Sequence, residues 1–245
     1  SSRLPRCAAM RSLERLALRL VRALDSACHR LLGWRYNPLH QSGSIAVALL
    51  TLLILTGLYL LVVYRVSAPW ESVARLQADP WIGRWMRGVH RYASDALVVA
   101  VAAHVLRMFA QARGWGARTL AWTSGVLLLF LLLISGWTGF VMVWDTFGAQ
   151  LAMAGARLFD ALPILSEPVG RTFAGDREIP SAFFFLNLFL HVALPLGAGV
   201  GIWLHVSRIA RPTLLPPRPL MWGIGLGLLA LALFVPAPLP PEADP

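Results

Sequence analysis

Four histidines share one spacing within or at the edges of the long apolar stretches of this chain. His90 and His104 are fourteen positions apart, and so are His191 and His205. Because fourteen residues make nearly four turns of an α-helix, the members of each pair fall within about 40° of one helix face and about 21 Å apart along its axis. Ionisable groups in such stretches are costly and usually functional. A single histidine could equally be a hydrogen-bonded core residue, but the repetition favours a shared function.

Two helices that carry these pairs can face each other at two depths. Where both helices run in the same direction, His90 lies level with His191. His104 then lies level with His205 in a second layer. Neither layer contains a carboxylate or a thiol, and zinc or di-iron sites would need such additional ligands. Two facing imidazoles suit the axial positions of a haem iron and leave it no open site, which favours electron transfer over oxygen chemistry. The four histidines are therefore predicted to ligate the irons of two haems.

Glycines repeat the same interval in two other apolar stretches. Gly43 and Gly57 form one pair, and Gly125 and Gly139 form the other. A missing side chain allows a large planar ligand to approach the backbone closely, so these glycines are predicted to adjoin the haems. Any one pair of membrane glycines is more often a helix-packing contact. Four equal intervals in four consecutive stretches favour the two-haem interpretation.

Three arginines stand close to the first two histidines. Arg87 lies three positions before His90, Arg91 directly follows it, and Arg107 lies three positions after His104. Each arginine is predicted to pair with a haem propionate near the bilayer surface, because guanidinium groups bind carboxylates well. The alternative is that they are ordinary interfacial arginines whose charged ends reach towards water.

The composition identifies the medium in which these elements lie. Of 245 residues, 57% are hydrophobic and 14% are charged, and the mean hydropathy is +0.63. Soluble domains have about 25% charged residues, so an ordinary soluble enzyme is excluded. The net charge is +10, but the arginines punctuate apolar runs instead of lining one polar face, which argues against a nucleic-acid partner. The chain is predicted to be an integral membrane protein whose surroundings are lipid.

The apolar runs divide into membrane spans of the required length, about 20 residues. The sequence predicts four transmembrane helices and a shorter fifth, at residues 44–63, 93–110, 120–143, 183–206 and 220–235. The predicted organisation is an N-terminal amphipathic segment, a di-haem bundle, and a fifth helix with a proline-rich tail, at residues 1–40, 41–212 and 213–245.

Arginines divide unequally between the two sides of the predicted membrane. Eight occur in residues 1–42 and three each in the 105–120 and 206–219 connections, and the opposite side carries the other eight. By the positive-inside rule the N-terminus is cytoplasmic and the 144–181 loop faces outward. The layer that contains His90 is then the outer layer, and the other is the inner layer.

The N-terminal stretch has the pattern of an amphipathic helix. Leucines recur at helical spacing on one flank and arginines on the other, which predicts a helix lying on the cytoplasmic membrane surface. A helix docked against a partner subunit explains the pattern equally well. The residues are Leu13, Leu16, Leu20, Leu24 and Leu31 with Arg11, Arg15, Arg19 and Arg22.

The haems are predicted to be held without covalent bonds. Cys7 and Cys28 both lie in the arginine-rich N-terminal stretch, so the chain has no disulfide framework. It also has no Cys-x-x-Cys-His sequence, which attaches haem through thioethers.

Around the histidines the sequence resembles the cytochrome b family, the haem-bearing core of quinol–cytochrome c reductase (bc) complexes and of the plastid-type bf complex. The similarity covers roughly residues 30–210. The residues that carry it besides the histidines are Thr56-Gly57, Tyr64, Trp81 to Arg91, Arg107, Trp122-Thr-Ser-Gly125, Gly136-Trp-Thr-Gly139-Phe140 and Trp144-Asp145.

The resemblance implies an all-α transmembrane four-helix bundle with two b haems, in a bacterial cytoplasmic (inner) membrane. Such a protein carries electrons between a quinone and partner proteins, here a Rieske iron–sulfur protein and a c-type cytochrome. The alternative is a quinone-linked di-haem anchor of a different extracytoplasmic oxidoreductase or multihaem complex, without electron bifurcation. His29, Arg30 and His40 are weak candidates for an inner quinone pocket, with an interfacial role as the alternative.

Several positions depart from the family pattern. Val143 precedes Trp144 where the family usually has proline, and Leu186 stands where it has a propionate-binding arginine. The Pro-Glu-Trp-Tyr sequence of the outer quinol site is absent. These departures somewhat favour the anchor alternative, whereas the overall similarity favours the bc-type core. Gln41 takes the place of the cysteine that holds an extra haem in the bf type, so no covalent haem is expected.

Overall fold

The computed structural model describes residues 6–111, 116–161, 170, 173, 179–207 and 212–243; the side chains of residues 6–14 and 117 lie outside that description. The described chain is helical, apart from one isolated bridge between Asp145 and Glu242. This confirms the all-α class. Its α-helices are α1 (Arg6–Tyr36), α2 (Ser42–Val63), α3 (Pro69–Ala78), α4 (Gly83–Ala110), α5 (Thr119–Val141), α6 (Thr146–Asp160), α7 (Ser181–Val206) and α8 (Arg218–Phe234), with a 3₁₀ turn at Gly116–Arg118.

Among the described residues, four helices are long and apolar enough to cross a membrane: α2, α4, α5 and α7. They match the four predicted spans, but the second span was predicted too short. α4 begins at Gly83, ten residues before the predicted start, because the helix continues past its apolar run through Arg84, Arg87 and Arg91. The fifth predicted span forms α8, which has 17 residues and is shorter than the other four.

The four spans are arranged as two antiparallel pairs. α2 packs along α4 and α5 packs along α7, while α4 and α5 share few contacts. α8 packs on another side of α4. A core cluster at mid-height includes Leu49, Leu50, Leu97 and Ala198, and Leu228 of α8 joins it. The space for a ligand therefore lies between the two pairs, above and below this cluster.

Two helices lie in connections that the sequence analysis left as loops. α3 begins with Pro69 in its first turn, a position where the missing N–H costs nothing. α6 is capped by Asp145, whose Oδ1 accepts from the Gly148 N–H at 2.7 Å. Aspartate before a helical run is a recognised start signal, and it could have indicated α6.

α1 carries an exposed row of leucines that includes Leu16, Leu20 and Leu24. Gly33 interrupts the helix with a φ of +73°, a conformation that glycine adopts without strain. α1 contacts α4, so one side of it rests on the bundle. The predicted contributions of Leu13, Arg11 and Cys7 lie outside the described side chains. The interfacial role of this helix stays a prediction.

The C-terminal residues 235–243, here called the strap, cross one end of the bundle and bind several elements. Arg87 donates to the carbonyls of Ala237 at 2.9 Å and Pro238 at 2.7 Å. The strap thus closes the end of the bundle where α4 begins. Its other hydrogen bonds are Tyr92 Oη to Val235 O, Trp70 Nε1 to Pro240 O, Thr146 N to Pro241 O and Ala243 N to Trp144 O.

Two histidine layers as the candidate functional site

Each predicted glycine lies against one predicted histidine of the paired helix. The histidines project from α4 and α7, and the glycines lie on α2 and α5. A Cβ added to these glycines would press on an imidazole ring, so each glycine gives its histidine room to approach the neighbouring backbone closely. The Cβ-to-Cε1 distances would be 3.0 Å for Gly43 and His104, 3.3 Å for Gly57 and His90, 3.3 Å for Gly125 and His205, and 2.7 Å for Gly139 and His191.

A hydroxyl residue precedes each of these glycines and contacts the same histidine. The sequence analysis gave these residues no role, although the repeated Ser/Thr-Gly dipeptide was visible. The distances from hydroxyl oxygen to Nδ1 are 3.4 Å for Ser42 and His104, 2.9 Å for Thr56 and His90, 2.9 Å for Ser124 and His205, and 3.4 Å for Thr138 and His191.

In the outer layer His90 and His191 face each other, with ring centres 6.2 Å apart and ring planes at 62°. Two imidazoles on opposite sides of one metal ion, with metal–nitrogen bonds of about 2 Å, have ring centres about 6 Å apart. The spacing of the outer pair therefore fits a single metal-centred group bound by both rings.

In the inner layer His104 and His205 line a cavity of about 580 Å³. Gly43 and Gly125 line the same cavity, and its deeper wall is apolar, with Leu50 among its residues. Across the described residues, no three His, Cys, Asp or Glu side chains gather into a metal cluster. A metal in either layer would therefore take its remaining ligands from a cofactor that carries its own, which is what a porphyrin does.

The three predicted arginines have different surroundings. Arg107 lines the inner cavity and donates to His40, at 2.9 Å to Nδ1 and 3.3 Å to the carbonyl. Arg87 is bound by the strap and by Gln77 Oε1 at 2.6 Å. Arg91 forms an ion pair with Asp95 and lies 4.6 Å from the Phe140 ring centre. Their pairing with propionates stays a prediction.

The weak candidates for the inner quinone pocket lie in different places. His40 lines the inner cavity beside Arg107. His29 and Arg30 are exposed on α1, where Arg30 Nε donates to the Ser26 carbonyl at 3.3 Å. Leu186, at the position of the family's arginine, is 54% exposed.

The backbone has an unusual conformation directly after Val143. Trp144 has a φ of +55°, which is rare for a residue with a bulky side chain. The conformation is held by packing, because the ring is buried against Phe173, Phe183 and Phe184.

Two polar groups brace the end of the bundle that the outer layer occupies. Tyr64 donates from its hydroxyl to the Met142 carbonyl at 2.6 Å, which ties the end of α2 to the end of α5. Burial raises the pKa of the Tyr64 phenol well above its usual value. The backbone N–H groups of Trp81 and Gly83 lower the pKa of the Asp79 carboxyl, which accepts from both just before α4.

Four membrane-spanning helices around two layers of glycine-backed histidines define a haem-binding electron-transfer protein of the membrane. The chain belongs to the cytochrome b family, since the model of cytochrome b/b6/petB matches residues 33–213. This confirms the resemblance seen in the sequence. As a family member the chain is a multi-pass membrane subunit that takes haem b, interacts with quinol and works within a redox complex.

Individual relatives agree with this assignment. The menaquinol:cytochrome c reductase cytochrome b subunit of Geobacillus thermodenitrificans is 28% identical over 186 residues, 70% of this chain and 83% of the relative. That of Bacillus subtilis (strain 168) is 29% identical over 175 residues, 66% of this chain and 78% of the relative. A chain of a hyperthermophilic respiratory complex III matches with a TM-score of 0.64 and 16% identity, over 84% of this chain and 65% of that one. At that identity the structural match concerns the fold.

Proposed function

We propose that this chain is the cytochrome b subunit of a quinol:cytochrome c reductase and that it holds two b haems. His90 and His191 would hold the outer haem, and His104 and His205 the inner one. The observation that carries this proposal is the pair of layers: His90 and His191 face each other, His104 and His205 line one cavity, and each ring is backed by a glycine. The relatives that act on menaquinol support the reductase over the anchor alternative.

The residues of the chain would determine the path of an electron between the two haems. A bound haem supplies reversible one-electron chemistry at its iron. The fourteen-residue interval on α4 separates the two layers by about 21 Å along the helix. With two histidines of the chain holding each haem, the group would supply electron transfer and not oxygen chemistry. The buried residues between the layers, such as Leu49 and Leu97, exclude water from the space that the electron crosses.

The inner cavity is the place where an electron could pass from the inner haem to a quinone. His40, Arg107 and Arg118 place polar groups among its lining residues, so a quinone headgroup could find hydrogen-bond donors there. The arginine distribution puts this end on the cytoplasmic side, with the strap and α6 outside. A Rieske iron–sulfur protein and a c-type cytochrome would then meet the outer end.

Single histidine replacements test the two-haem proposal. We expect the purified complex to contain two b haems per chain, extractable with acid acetone because no covalent bond holds them. His90→Ala and His191→Ala should each remove the same haem, and His104→Ala and His205→Ala the other, in reduced-minus-oxidised spectra. His29→Ala is the control, because this ring is exposed on α1, and it should retain both haems. Fewer than two haems in the unaltered protein would overturn the proposal.

Mass spectrometry of the intact complex tests the partners. Copurification with a Rieske protein and a c-type cytochrome, together with menaquinol-dependent reduction of cytochrome c, is the expected result. A molybdenum or multihaem subunit in their place would overturn the reductase assignment and leave the anchor alternative.

A further inference from the structure

The dipeptide of a hydroxyl residue and a glycine occurs at each of the four histidines, once per layer on α2 and once per layer on α5. In every case the glycine lies under the ring and the hydroxyl lies beside Nδ1, so each dipeptide makes two different contacts with one imidazole. The four dipeptides are Ser42-Gly43, Thr56-Gly57, Ser124-Gly125 and Thr138-Gly139.

Each hydroxyl has a backbone carbonyl close by to which it can donate its proton. A serine or threonine hydroxyl has one proton to donate and two lone pairs that can accept. Each of these hydroxyls lies within donating distance of the carbonyl three or four residues before it in the chain. The distances are 3.0 Å from Ser42 to Leu39 O, 2.9 Å from Thr56 to Leu52 O, 3.0 Å from Ser124 to Ala121 O and 2.8 Å from Thr138 to Ser135 O.

A hydroxyl that donates to a backbone carbonyl can only accept from an imidazole beside it. The Nδ1 atom of the ring must then carry the proton, since two acceptors do not attract each other. A neutral imidazole with its proton on Nδ1 has its lone pair on Nε2, the nitrogen left to bind a metal. The hydroxyl thus favours the tautomer in which Nε2 faces the ligand.

We propose that Ser42, Thr56, Ser124 and Thr138 are positioning residues that hold the four histidines in the Nδ1–H tautomer and set the electron donation from Nε2 to the haem iron. This inference rests on the proposed function, because it needs a haem in each layer. A hydrogen bond from the far nitrogen fixes the ring orientation and makes the ligating nitrogen more basic. A more basic ligand stabilises ferric over ferrous iron and lowers the midpoint potential.

The distances rank the four residues. Thr56 and Ser124 are at 2.9 Å from Nδ1, normal for a hydrogen bond, whereas Ser42 and Thr138 are at 3.4 Å. Three of the rings also have a backbone carbonyl as a second acceptor, so the ranking depends on the hydroxyl distances; these carbonyls are Leu53 for His90, Ala121 for His205 and, at 2.8 Å, Ser135 for His191. Thr56 should therefore matter most in the outer layer and Ser124 in the inner one.

The test compares Thr56→Val with Thr51→Val in the purified complex. Thr51 lies on the same helix and makes the same bond to a carbonyl one turn earlier, at 2.9 Å from Val47 O, but its exposed side chain faces no histidine. Redox titration should show the outer haem more positive in Thr56→Val, with about a tenfold change in its reduction equilibrium. For a one-electron couple this equals about 59 mV. Thr51→Val should leave both potentials in place, and Thr56→Ser should restore the original value.

The inner layer offers the same comparison. Ser124→Ala should raise the potential of the inner haem alone, and Thr123→Val is its control, because Thr123 donates to Thr119 O at 3.0 Å and is exposed. Electron paramagnetic resonance of the ferric haems should show altered g values in Ser124→Ala, which report the ring orientation, and unaltered values in the control.

Two failures can be told apart. If the unaltered complex lacks two haems, the proposed function is wrong. If both haems are present and Thr56→Val matches Thr51→Val, or shifts the potential downward, the tautomer proposal is wrong while the proposed function stands.

Discussion

The two histidine layers are built from one repeated register but have different surroundings. In the outer layer the rings of His90 and His191 lie 6.2 Å apart, and the end of the bundle above them is crossed by the strap. In the inner layer His104 and His205 line a cavity of about 580 Å³. The same local pattern therefore lies beneath the strap in one layer and borders a cavity in the other, where the inner haem would be held.

The arginines show why the layers differ. Arg87, near the outer layer, donates hydrogen bonds to the strap carbonyls and to Gln77. Arg107, near the inner layer, donates to His40 in the segment before α2 and lines the cavity. Exchange of a quinone is expected at the inner layer, and partner docking over the strap at the outer one.

The largest expected effect comes from filling the tightest glycine contact. A Cβ in Gly139→Ala would lie 2.7 Å from Cε1 of His191, so the ring must move. Overpacking of this kind costs about 1–3 kcal/mol, and we expect loss of the outer haem with the inner one retained. Haem content and reduced-minus-oxidised spectra measure this.

Gly136→Ala is the matched control, since it lies on the same helix and a Cβ there would meet no atom within 4 Å. If Gly139→Ala still binds two haems, the His191 ring does not need this glycine in order to hold the outer haem.

A smaller effect should separate the roles of the arginines. Arg107→Gln is expected to shift the potential of the inner haem without moving the outer one. Arg87→Gln should instead release the strap, because hydrogen bonds from a charged donor contribute about 1.5–3 kcal/mol each. Faster amide exchange at Ala243, whose N–H bonds to Trp144 O, would report that release.

One result would contradict the assignment of Arg87 to the strap. If Arg87→Gln shifts the outer haem while exchange in the strap is unchanged, the arginine serves a propionate and the strap is held by its other bonds.

The smallest effect concerns the tie between α2 and α5. Tyr64→Phe removes the hydrogen bond to the Met142 carbonyl, at a cost of about 1 kcal/mol in the free energy of unfolding. Burial raises the phenol pKa in the folded protein, so above about pH 10 the unfolded chain ionises first and the folded state loses stability. Thermal unfolding from pH 8 to 11 should show this loss.

The alkaline loss should be weaker in Tyr64→Phe and persist in the control Tyr59→Phe. Equal pH dependence in all three proteins would mean that Tyr64 ionises as freely in the folded state as in the unfolded chain, against its burial.

The sequence predicted the spans and the register because both depend on local periodicity. Apolar runs of about 20 residues define membrane helices wherever the rest of the chain goes. The start of α4 was missed because its first turns carry arginines, and hydropathy does not detect a helix that extends beyond the lipid. α3 and α6 were missed for a different reason. They are shorter than the apolar runs of about 20 residues by which membrane helices are recognised.

Composition and spacing were enough to predict a membrane helix bundle with four histidines and four glycines at one fourteen-residue interval. Helix geometry makes that interval readable, because residues four turns apart share a face whatever surrounds them. Only the tertiary structure decided which glycine and hydroxyl serve which histidine, and that Arg87 binds carbonyls 150 and 151 positions away. Such contacts depend on how distant segments pack, which no local pattern encodes.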